Sequence, residues 1–180
     1  MFAKTITKRA IQALVLVGAA STAPLVSRDR DDFNEKMLEV TNWYRAQHGA
    51  NPVSWDDGLA DYATNYAKTC PMGHSDTPYG ESVVVGDKWT SSGCWANVFG
   101  HERIYFDFDN GGPASNTGHF TQLVWKDTTR MGCGWAQCSD GFHVVCEYLN
   151  VGNVSGDNNR YYRENVGRQV SGNANDEYLG

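Results

Sequence analysis

The chain has 180 residues, of which 41% are hydrophobic and 20% charged, and its formal net charge is −6 at pH 7. This length is enough for one domain with a buried core. Because an acidic protein repels polyanions, the composition disfavours nucleic acid as a partner.

The first 23 residues have the pattern of a secretory signal peptide. A positively charged start leads into an apolar run over residues 10–20, and small residues occupy 21–23. The run is shorter than the roughly 20 apolar residues that a membrane-spanning helix needs, so an uncleaved anchor is the less favoured alternative. Since no other stretch resembles a transmembrane segment, the sequence predicts a secreted, extracellular protein. Pro24 leaves the cleavage position approximate.

A first amphipathic helix is predicted between Asp32 and His48. Its apolar residues recur at spacings of three and four, as on one face of a helix, and they are Phe33, Met37, Val40 and Tyr44. Gly49 and Pro52 favour its end.

A second helix is predicted after Asp56 or Asp57, either of which can cap its first turn. The residues expected to form its buried stripe are Leu59, Tyr62, Ala63, Tyr66 and Ala67. Cys70 and Pro71 favour its end.

The middle of the chain alternates loops with short elements. Residues 71–93 are rich in Gly, Ser, Thr, Pro and Asp and predict a loop, interrupted by a short strand over 83–85. Residues 94–108 predict a third helix with Trp95, Val98, Phe99, Glu102 and Phe106 on overlapping faces. Residues 109–113 predict an exposed loop, and 119–126 a further short helix.

Residues 129–149 predict a β-hairpin with its turn at 139–140. This register places Cys133 directly opposite Cys146, where opposed residues of an antiparallel pair are within reach of a disulfide. Cys138 then lies at the hairpin tip, free to pair with Cys70, and Cys94 is left over. Because the five cysteines are an odd number, at least one stays free or pairs between chains.

After Gly152 the chain becomes polar, and residues 168–180 predict a disordered or appended C-terminal tail. Asn153 begins an Asn-Val-Ser acceptor for N-glycosylation. Helices around a small, mainly antiparallel sheet predict an α+β fold, or a three-layer α–β–α arrangement, over a domain at 32–167. The protein is expected to be a monomer.

Several ordered motifs resemble the CAP superfamily, which comprises cysteine-rich secretory, antigen 5 and pathogenesis-related class 1 proteins. The full match is Gly118–Trp125, and a partial match runs over 144–148 and 152–154. Further pieces are Gly73-His74-Ser75, Tyr79-Gly80-Glu81-Ser82 and Gly132-Cys133-Gly134. The resemblance covers about 33–167 and is greatest to secreted fungal and plant pathogenesis-related class 1 proteins. One departure is Glu147, which stands where the family more often has Asn or Gln.

The resemblance implies an α–β–α sandwich with a central cleft, and the disulfides Cys70–Cys138 and Cys133–Cys146. It also implies that four side chains line the cleft: His74, Glu81, Glu102 and His119. Two imidazoles with carboxylates suit Zn²⁺ with an open position, or a hydrated Mg²⁺. Each of the four, taken alone, also has an ordinary structural interpretation as a loop, core or surface residue.

A second implied site is a lipid-binding loop. In yeast-type members the matching loop binds sterols, and here it would use Tyr105, Phe106, Phe108 and Pro113. Aromatic residues beside a mobile loop can form an apolar slot with a polar rim. The alternative is that these aromatics belong to the core.

Three functions follow from these observations. The favoured hypothesis is a secreted carrier of sterol or other small apolar lipids, with a cleft able to bind a divalent cation. The second is a metal-assisted or serine-type hydrolase in which Ser75 or Ser82 offers a hydroxyl, although no catalytic residue is assigned. The third is a non-catalytic module that binds an extracellular protein partner in host–microbe contact or defence.

Overall fold

Five α-helices and four strands are the main regular elements of residues 25–87 and 91–179, the part of the chain that the computed structural model describes. The helices are α1 Leu25–Gln47, α2 Asp57–Ala67, α3 Ser92–His101, α4 Gly118–Leu123 and α5 Arg160–Asn165. The strands are β1 Ser54–Trp55, β2 Gly80–Gly86, β3 Arg130–Cys138 and β4 Gly141–Leu149.

The predicted signal peptide lies outside the described residues. Within them, no helix has the length and apolar character needed to cross a membrane.

The four strands form one sheet in the order β1-β3-β4-β2. β1 runs parallel to β3, and the other two pairings are antiparallel. The hairpin prediction is confirmed in register, since Cys133 lies opposite Cys146. The strand predicted at 83–85 is also confirmed but extends over the whole of β2, because its full length pairs with β4.

The helices cover both faces of this sheet, which confirms the α–β–α arrangement. Side chains alternate across β4: Val144, Cys146 and Tyr148 join the main core with α1, α3 and α4. Val145 lies on the opposite face and packs with Ala63 and Ala67 of α2. The sheet is therefore the middle of three layers.

The apolar face of α1 is buried as the periodicity predicts, with Phe33, Met37, Val40 and Tyr44 all fully buried. The helix begins at Leu25 and not near Asp32. The sequence did not predict this earlier start because residues 27–32 are mostly polar and lack a repeat of apolar residues.

Arg45 fixes the end of α1 to the region after α4. Its fully buried guanidinium donates to four backbone carbonyls, those of Asn51, Leu123, Trp125 and Thr128, at 2.7–3.0 Å. Burial lowers the pKa of Arg45 to about 10, and it therefore stays charged at neutral pH. The bond to Leu123 satisfies a carbonyl that the end of α4 leaves open, and the other three hold the neighbouring loops.

Helix α2 is capped as predicted, because Asp56 accepts the backbone N–H of Leu59 at 3.1 Å. Its predicted buried stripe is only partly correct. Leu59, Ala63 and Ala67 are buried, whereas Tyr62 is 37% exposed and Tyr66 is half-buried. The two tyrosines lie at the margin because their hydroxyls bond the neighbouring loop.

Both predicted disulfides are present, Cys70–Cys138 and Cys133–Cys146, and Cys94 is free. The first joins the end of α2 to the tip of the hairpin. It therefore anchors the start of the loop at 71–79, which carries His74.

The C-terminal segment at 168–179 is a correction to the expected disordered or appended tail. It has no helix or strand, but buried Arg103 donates to the carbonyls of Asn173 and Ala174 at 2.8 Å and also bonds Asp176. The ring of Tyr178 packs edge-on against the ring of Trp43 on α1. The polar composition did not predict this packing, because the segment makes its contacts mostly through backbone carbonyls.

Candidate functional site

His119 and Glu102 form the inner of two histidine–glutamate pairs. His119 lies in the first turn of α4, and Glu102 opens the 3₁₀ turn that follows α3. Glu102 Oε1 lies 2.7 Å from His119 Nδ1, while its Oε2 accepts the backbone N–H groups of His119 and Phe120 at 2.9 and 3.1 Å. The carboxylate thus holds the side chain and also caps the helix start.

The second ring nitrogen of His119 is also engaged. Its Nε2 lies 3.2 Å from the backbone carbonyl of Val83 on β2. Since both partners are acceptors, the ring meets both only as an imidazolium. Burial, the largest single effect, lowers the pKa of His119, but the hydrogen bond and charge of Glu102 together with the Val83 carbonyl outweigh it, and the net shift is upward.

His74 and Glu81 form the outer pair. His74 lies in the loop before β2 with its side chain 68% exposed, and its Nδ1 is 2.7 Å from Glu81 Oε1. The Glu81 side chain is only 3% exposed and accepts further bonds from the backbone N–H and the hydroxyl of Ser75, at 2.9 and 2.6 Å. Burial raises the pKa of Glu81, but hydrogen bonds led by those from Ser75 outweigh it and lower the pKa overall.

The loop at 71–79 is fastened to α2 by the two tyrosines. Tyr66 donates its hydroxyl to the Gly73 carbonyl at 2.8 Å, and Tyr62 donates to Ser75 Oγ at 3.3 Å. Together with the Cys70–Cys138 disulfide, these bonds fix the backbone that presents His74.

Glu147 is a site residue that sequence reasoning did not assign. It is fully buried and lies opposite Glu81 in the β2–β4 register. No N–H or hydroxyl of the described residues reaches either of its oxygens, and the carboxyl of Glu81 is the group that most affects its charge besides burial. Burial, and then the neighbouring Glu81, raise the pKa of Glu147 to about 9. A neutral carboxyl in this place donates a hydrogen bond as the commoner Gln or Asn would.

One cavity adjoins the outer pair only. A cavity of about 240 Å³ lies beside His74 and Glu81 and is lined further by Ser75, Thr77, Tyr79, Gly80, Gln122, Val151, Gly152 and Asn153, without Glu102 or His119. Gln122 is buried there and accepts the Gly152 N–H at 2.9 Å, a role that no sequence signal indicated.

Among the described residues, one group of three side chains has ligand atoms close enough together to hold a metal ion. This group lies away from the two histidine–glutamate pairs. It comprises Cys138, Asp140 and His143. The Cys138 sulfur is in a disulfide, and both ring nitrogens of buried His143 are already bonded, to the Pro71 carbonyl at 3.0 Å and to Asp140 at 2.8 Å. Of the predicted cation ligands, His119 Nε2 lies against the Val83 carbonyl and Glu81 accepts from Ser75, and the four-residue cation site stays a prediction.

The predicted lipid loop is closed. The Phe106 ring is 8% exposed and lies 4.9 Å from the Phe108 ring, edge to face. Tyr105 is 61% exposed, and Pro113 is also exposed. The four predicted residues therefore do not share a face: the two phenylalanines turn into the core and the other two turn outward.

The predicted glycosylation residue is engaged in a hydrogen-bond network. Asn153 Nδ2, the nitrogen that would carry a glycan, donates to the Gly118 carbonyl at 2.8 Å, and Asn153 Oδ1 accepts from Thr121 at 2.6 Å. The side chain is half-buried and ties the segment after β4 to α4. A glycan there would displace the bond to Gly118, so glycosylation remains a prediction.

Comparison with known proteins gives the family. A model described as CAP: cysteine-rich secretory protein family matches residues 38–148. The chain is 39% identical over 147 residues to "Repressed by EFG1 protein 1" of Candida albicans, an alignment that covers 75% of the chain and 54% of that protein. It is 32% identical over 147 residues to "Pathogenesis-related protein 1" of Arabidopsis thaliana, with 79% of the chain and 91% of that protein covered. The chain thus spans about half the length of the first relative and nearly all of the second.

A solved structure has the same fold. The crystal structure of NaASP2 with Zn²⁺ superposes with a TM-score of 0.57 at 24% identity and covers 70% of this chain and 83% of that one. With the motif match, the two disulfides and the three-layer sheet, these similarities show that the chain belongs to the CAP superfamily, as a pathogenesis-related class 1-like member.

Proposed function

We propose that this protein is an extracellular carrier of small, largely apolar ligands, sterols in the first place, which bind beneath the loop at 105–113. The observation that carries the proposal is a cluster of rings under that loop. Phe108 lies 4.9 Å from Phe106 and 6.1 Å from Phe120, with Phe120 on α4 forming the floor. If the Phe108 ring moved aside, the remaining aromatic rings would form one apolar side of a binding site for the ligand.

Two features of the loop favour such a movement: adjacent glycines in its backbone and exposed contacts on its outer side. Gly111 and Gly112 have φ angles of +65° and +106°, a backbone conformation that favours glycine. From outside, Arg168 forms an ion pair with Asp109 and lies 5.9 Å over the Phe108 ring. Because these contacts are exposed, they hold the loop only weakly against opening.

Exposed apolar groups lie at the rim of the same loop. Ile104 is 39% exposed and Tyr105 is 61% exposed, directly before buried Phe106. An apolar ligand arriving from a membrane or another carrier would meet these side chains first. Burial of apolar surface stabilises such a complex by about 25 cal/mol per Å² before the costs of association.

The histidine–glutamate geometry supports binding over hydrolysis. Ser75 donates its hydroxyl to Glu81, not to a histidine, and both ring nitrogens of His119 are taken. A nucleophile paired with a free base, which hydroxyl-based hydrolysis requires, is therefore not arranged at these residues.

A bound cation is not part of the proposal. A solved structure of the same fold contains Zn²⁺. The cation site predicted for this chain needs His74 and His119 together. Each of the two histidines is held by a carboxylate through Nδ1. Nε2 of His119 also lies against a carbonyl, whereas among the described residues no bond to Nε2 of His74 is found. A cation held by His74, Glu81, Glu102 and His119 stays a separate prediction.

The test is saturable binding of labelled cholesterol to the purified secreted protein and to Phe106→Ala and Phe108→Ala variants. We expect binding in the unaltered protein and its loss in both variants. Phe142→Ala is the matched control, since Phe142 is a half-buried ring on the distant hairpin, 6.0 Å from Trp135. Absence of saturable binding to folded protein, or equal loss in the control, would contradict the proposal.

A further inference from the structure

The tip of the β3–β4 hairpin brings together four side chains of the types that bind transition metals. Cys138 ends β3, Asp140 lies in the turn, and His143 follows on β4. One ligand atom of each of these three residues lies within 4.8 Å of the others. Cys70, the disulfide partner of Cys138, adds a second sulfur at the same point. The sequence interpretation gave His143 only a structural or surface role.

His143 is held in the way that proteins hold a metal-binding histidine. Its side chain is fully buried, and Nδ1 lies 3.0 Å from the carbonyl oxygen of Pro71, to which it must donate because a carbonyl only accepts. Histidines that bind metals commonly donate one ring N–H to a backbone carbonyl or carboxylate, which leaves the other nitrogen for the ion. In His143 that other nitrogen is Nε2.

The contact on the other side of the ring leaves a place for a cation. His143 Nε2 lies 2.8 Å from Asp140 Oδ1, so both neighbours of the ring are acceptors and the ring meets both only as an imidazolium. A metal ion bound to Nε2 takes the place of that proton and bonds the same carboxylate. The Asp140 side chain is 48% exposed, so it can rotate to make room for the ion.

Contacts other than the disulfide position these ligands. The β3–β4 pairing fixes Cys138 relative to His143, and the bond from His143 to Pro71 holds the residue next to Cys70. The Cα atoms of the two cysteines are 5.9 Å apart. Two sulfurs bound at about 2.3 Å to one tetrahedral Zn²⁺ are roughly 3.8 Å apart, so rotation of the two side chains is enough to bring them to one ion.

The disulfide at this tip is the accessible one of the two bridges. Cys70 is exposed and Cys138 is half-buried, whereas Cys133 and Cys146 are 1% and 0% exposed. Thiol–disulfide exchange requires an attacking thiolate to reach a sulfur atom. A dithiol therefore reduces the Cys70–Cys138 bridge in preference to the buried one.

We propose that reduction of the Cys70–Cys138 disulfide by a dithiol opens a Zn²⁺ site whose ligands are the two thiolates, Asp140 and His143 Nε2. Two thiolates with an imidazole and a carboxylate suit tetrahedral Zn²⁺, whereas Mg²⁺ and Ca²⁺ prefer oxygen ligands. This site shares no residue with the cleft or with the aromatic loop, so it does not depend on the carrier proposal.

The two steps balance. The dithiol gives two electrons and two protons to the bridge, becomes a disulfide itself, and leaves two thiols on the protein. Zn²⁺ then displaces the two thiol protons and the proton on His143 Nε2 to solvent. The bridge and the ion exclude each other, and either one anchors the start of the loop at 71–79.

The experiment compares Zn²⁺ binding by the oxidised protein with binding by protein that has been mildly reduced with dithiothreitol and then separated from it. Alkylation and mass spectrometry show that Cys70 and Cys138 are reduced and that Cys133–Cys146 is intact. We expect about one additional Zn²⁺ per chain after reduction, and slower alkylation of the two thiols when Zn²⁺ is present. A cation in the cleft needs no reduction and adds equally to both forms. If the folded, reduced protein binds no additional Zn²⁺, the proposal is wrong.

A variant in the turn locates the site. Asp140→Asn removes one anionic ligand and should weaken the reduction-dependent Zn²⁺ binding at least roughly tenfold. Asp157→Asn is the matched control, because Asp157 lies outside the hairpin and its side chain is 55% exposed. Equal affinity in the two variants would contradict the assignment of Asp140.

Cys70→Ser keeps the test decisive if reduction unfolds the protein. This variant frees the Cys138 thiol without any reductant and leaves three of the four ligands in place, Cys138, Asp140 and His143. We expect it to bind Zn²⁺ more tightly than the double variant Cys70→Ser/Asp140→Asn, as measured by competition with a zinc-binding dye. Equal Zn²⁺ affinity of the folded single and double variants would overturn the proposal.

Discussion

The inner and outer histidine–glutamate pairs have the same chemistry and the same 2.7 Å contact, yet they differ in which partner is buried. In the inner pair both side chains are largely covered, with His119 31% and Glu102 18% exposed. In the outer pair Glu81 is 3% exposed and His74 is 68% exposed. The inner pair therefore stabilises the packing of neighbouring elements, whereas the outer pair presents an imidazole to the cavity.

The surroundings of the two carboxylates explain the difference. Glu102 accepts backbone N–H groups at the start of α4, so it is bound to the packing of that helix. Glu81 lies on β2 beside the protonated Glu147 and accepts from Ser75 of the loop. The same two residue types thus have a structural role in the inner pair and an exposed role in the outer pair.

The largest expected effect is at the inner pair. Glu102→Ala removes three charge-assisted hydrogen bonds, to His119 and to the backbone of α4, and should lower the free energy of unfolding by about 3 kcal/mol. Urea unfolding would show a lower midpoint with an unchanged m-value. Glu177→Ala is the matched control, because Glu177 is 51% exposed and only 3.7 Å from His101. An equal shift in the control would remove the distinction between the inner pair and a surface pair.

Local patterns in the sequence predicted the elements well. The buried face of α1 followed from the spacing of four apolar residues, and the pairing of Cys133 with Cys146 followed from hairpin register. Both depend on neighbours close in the chain, so short-range geometry determines them. The motif resemblance added the members of the two pairs, His74 and Glu81 with Glu102 and His119.

Non-local pairing and side-chain direction were beyond the sequence. Glu147 comes beside Glu81 only through the β2–β4 pairing, in which partners are 56 to 68 positions apart in the chain. The inward turn of Phe106 depends on Phe120 and Phe108 packing around it. For the same reason Tyr66 was misplaced in the core, since its hydroxyl is satisfied by Gly73 in a loop of unknown path.

A smaller, pH-dependent effect is expected behind the outer pair. Because the folded-state pKa of Glu147 is raised to about 9, the native state retains a proton that the unfolded chain has released, and stability falls as pH rises from about 4.5 to about 9. Glu147→Gln keeps the shape and the donor without a titrating proton. The variant should equal the unaltered protein near pH 4.5 and exceed it increasingly up to about pH 9, as measured by melting temperature. A constant difference across this range would show that Glu147 is not protonated in the fold.

The smallest effect is expected from His74 itself. His74→Ala removes a contact whose imidazole is mostly in solvent, and exposed ion pairs contribute roughly 0–1 kcal/mol, so the free energy of unfolding should change by less than about 1 kcal/mol. Glu81 keeps the Ser75 bonds that fix the loop, so the backbone there should hold its position. Urea unfolding beside Glu102→Ala measures the contrast directly. A loss from His74→Ala as large as that from Glu102→Ala would mean that the outer imidazole is a packing element too, and the cavity beside it would no longer have a free side chain to offer a ligand.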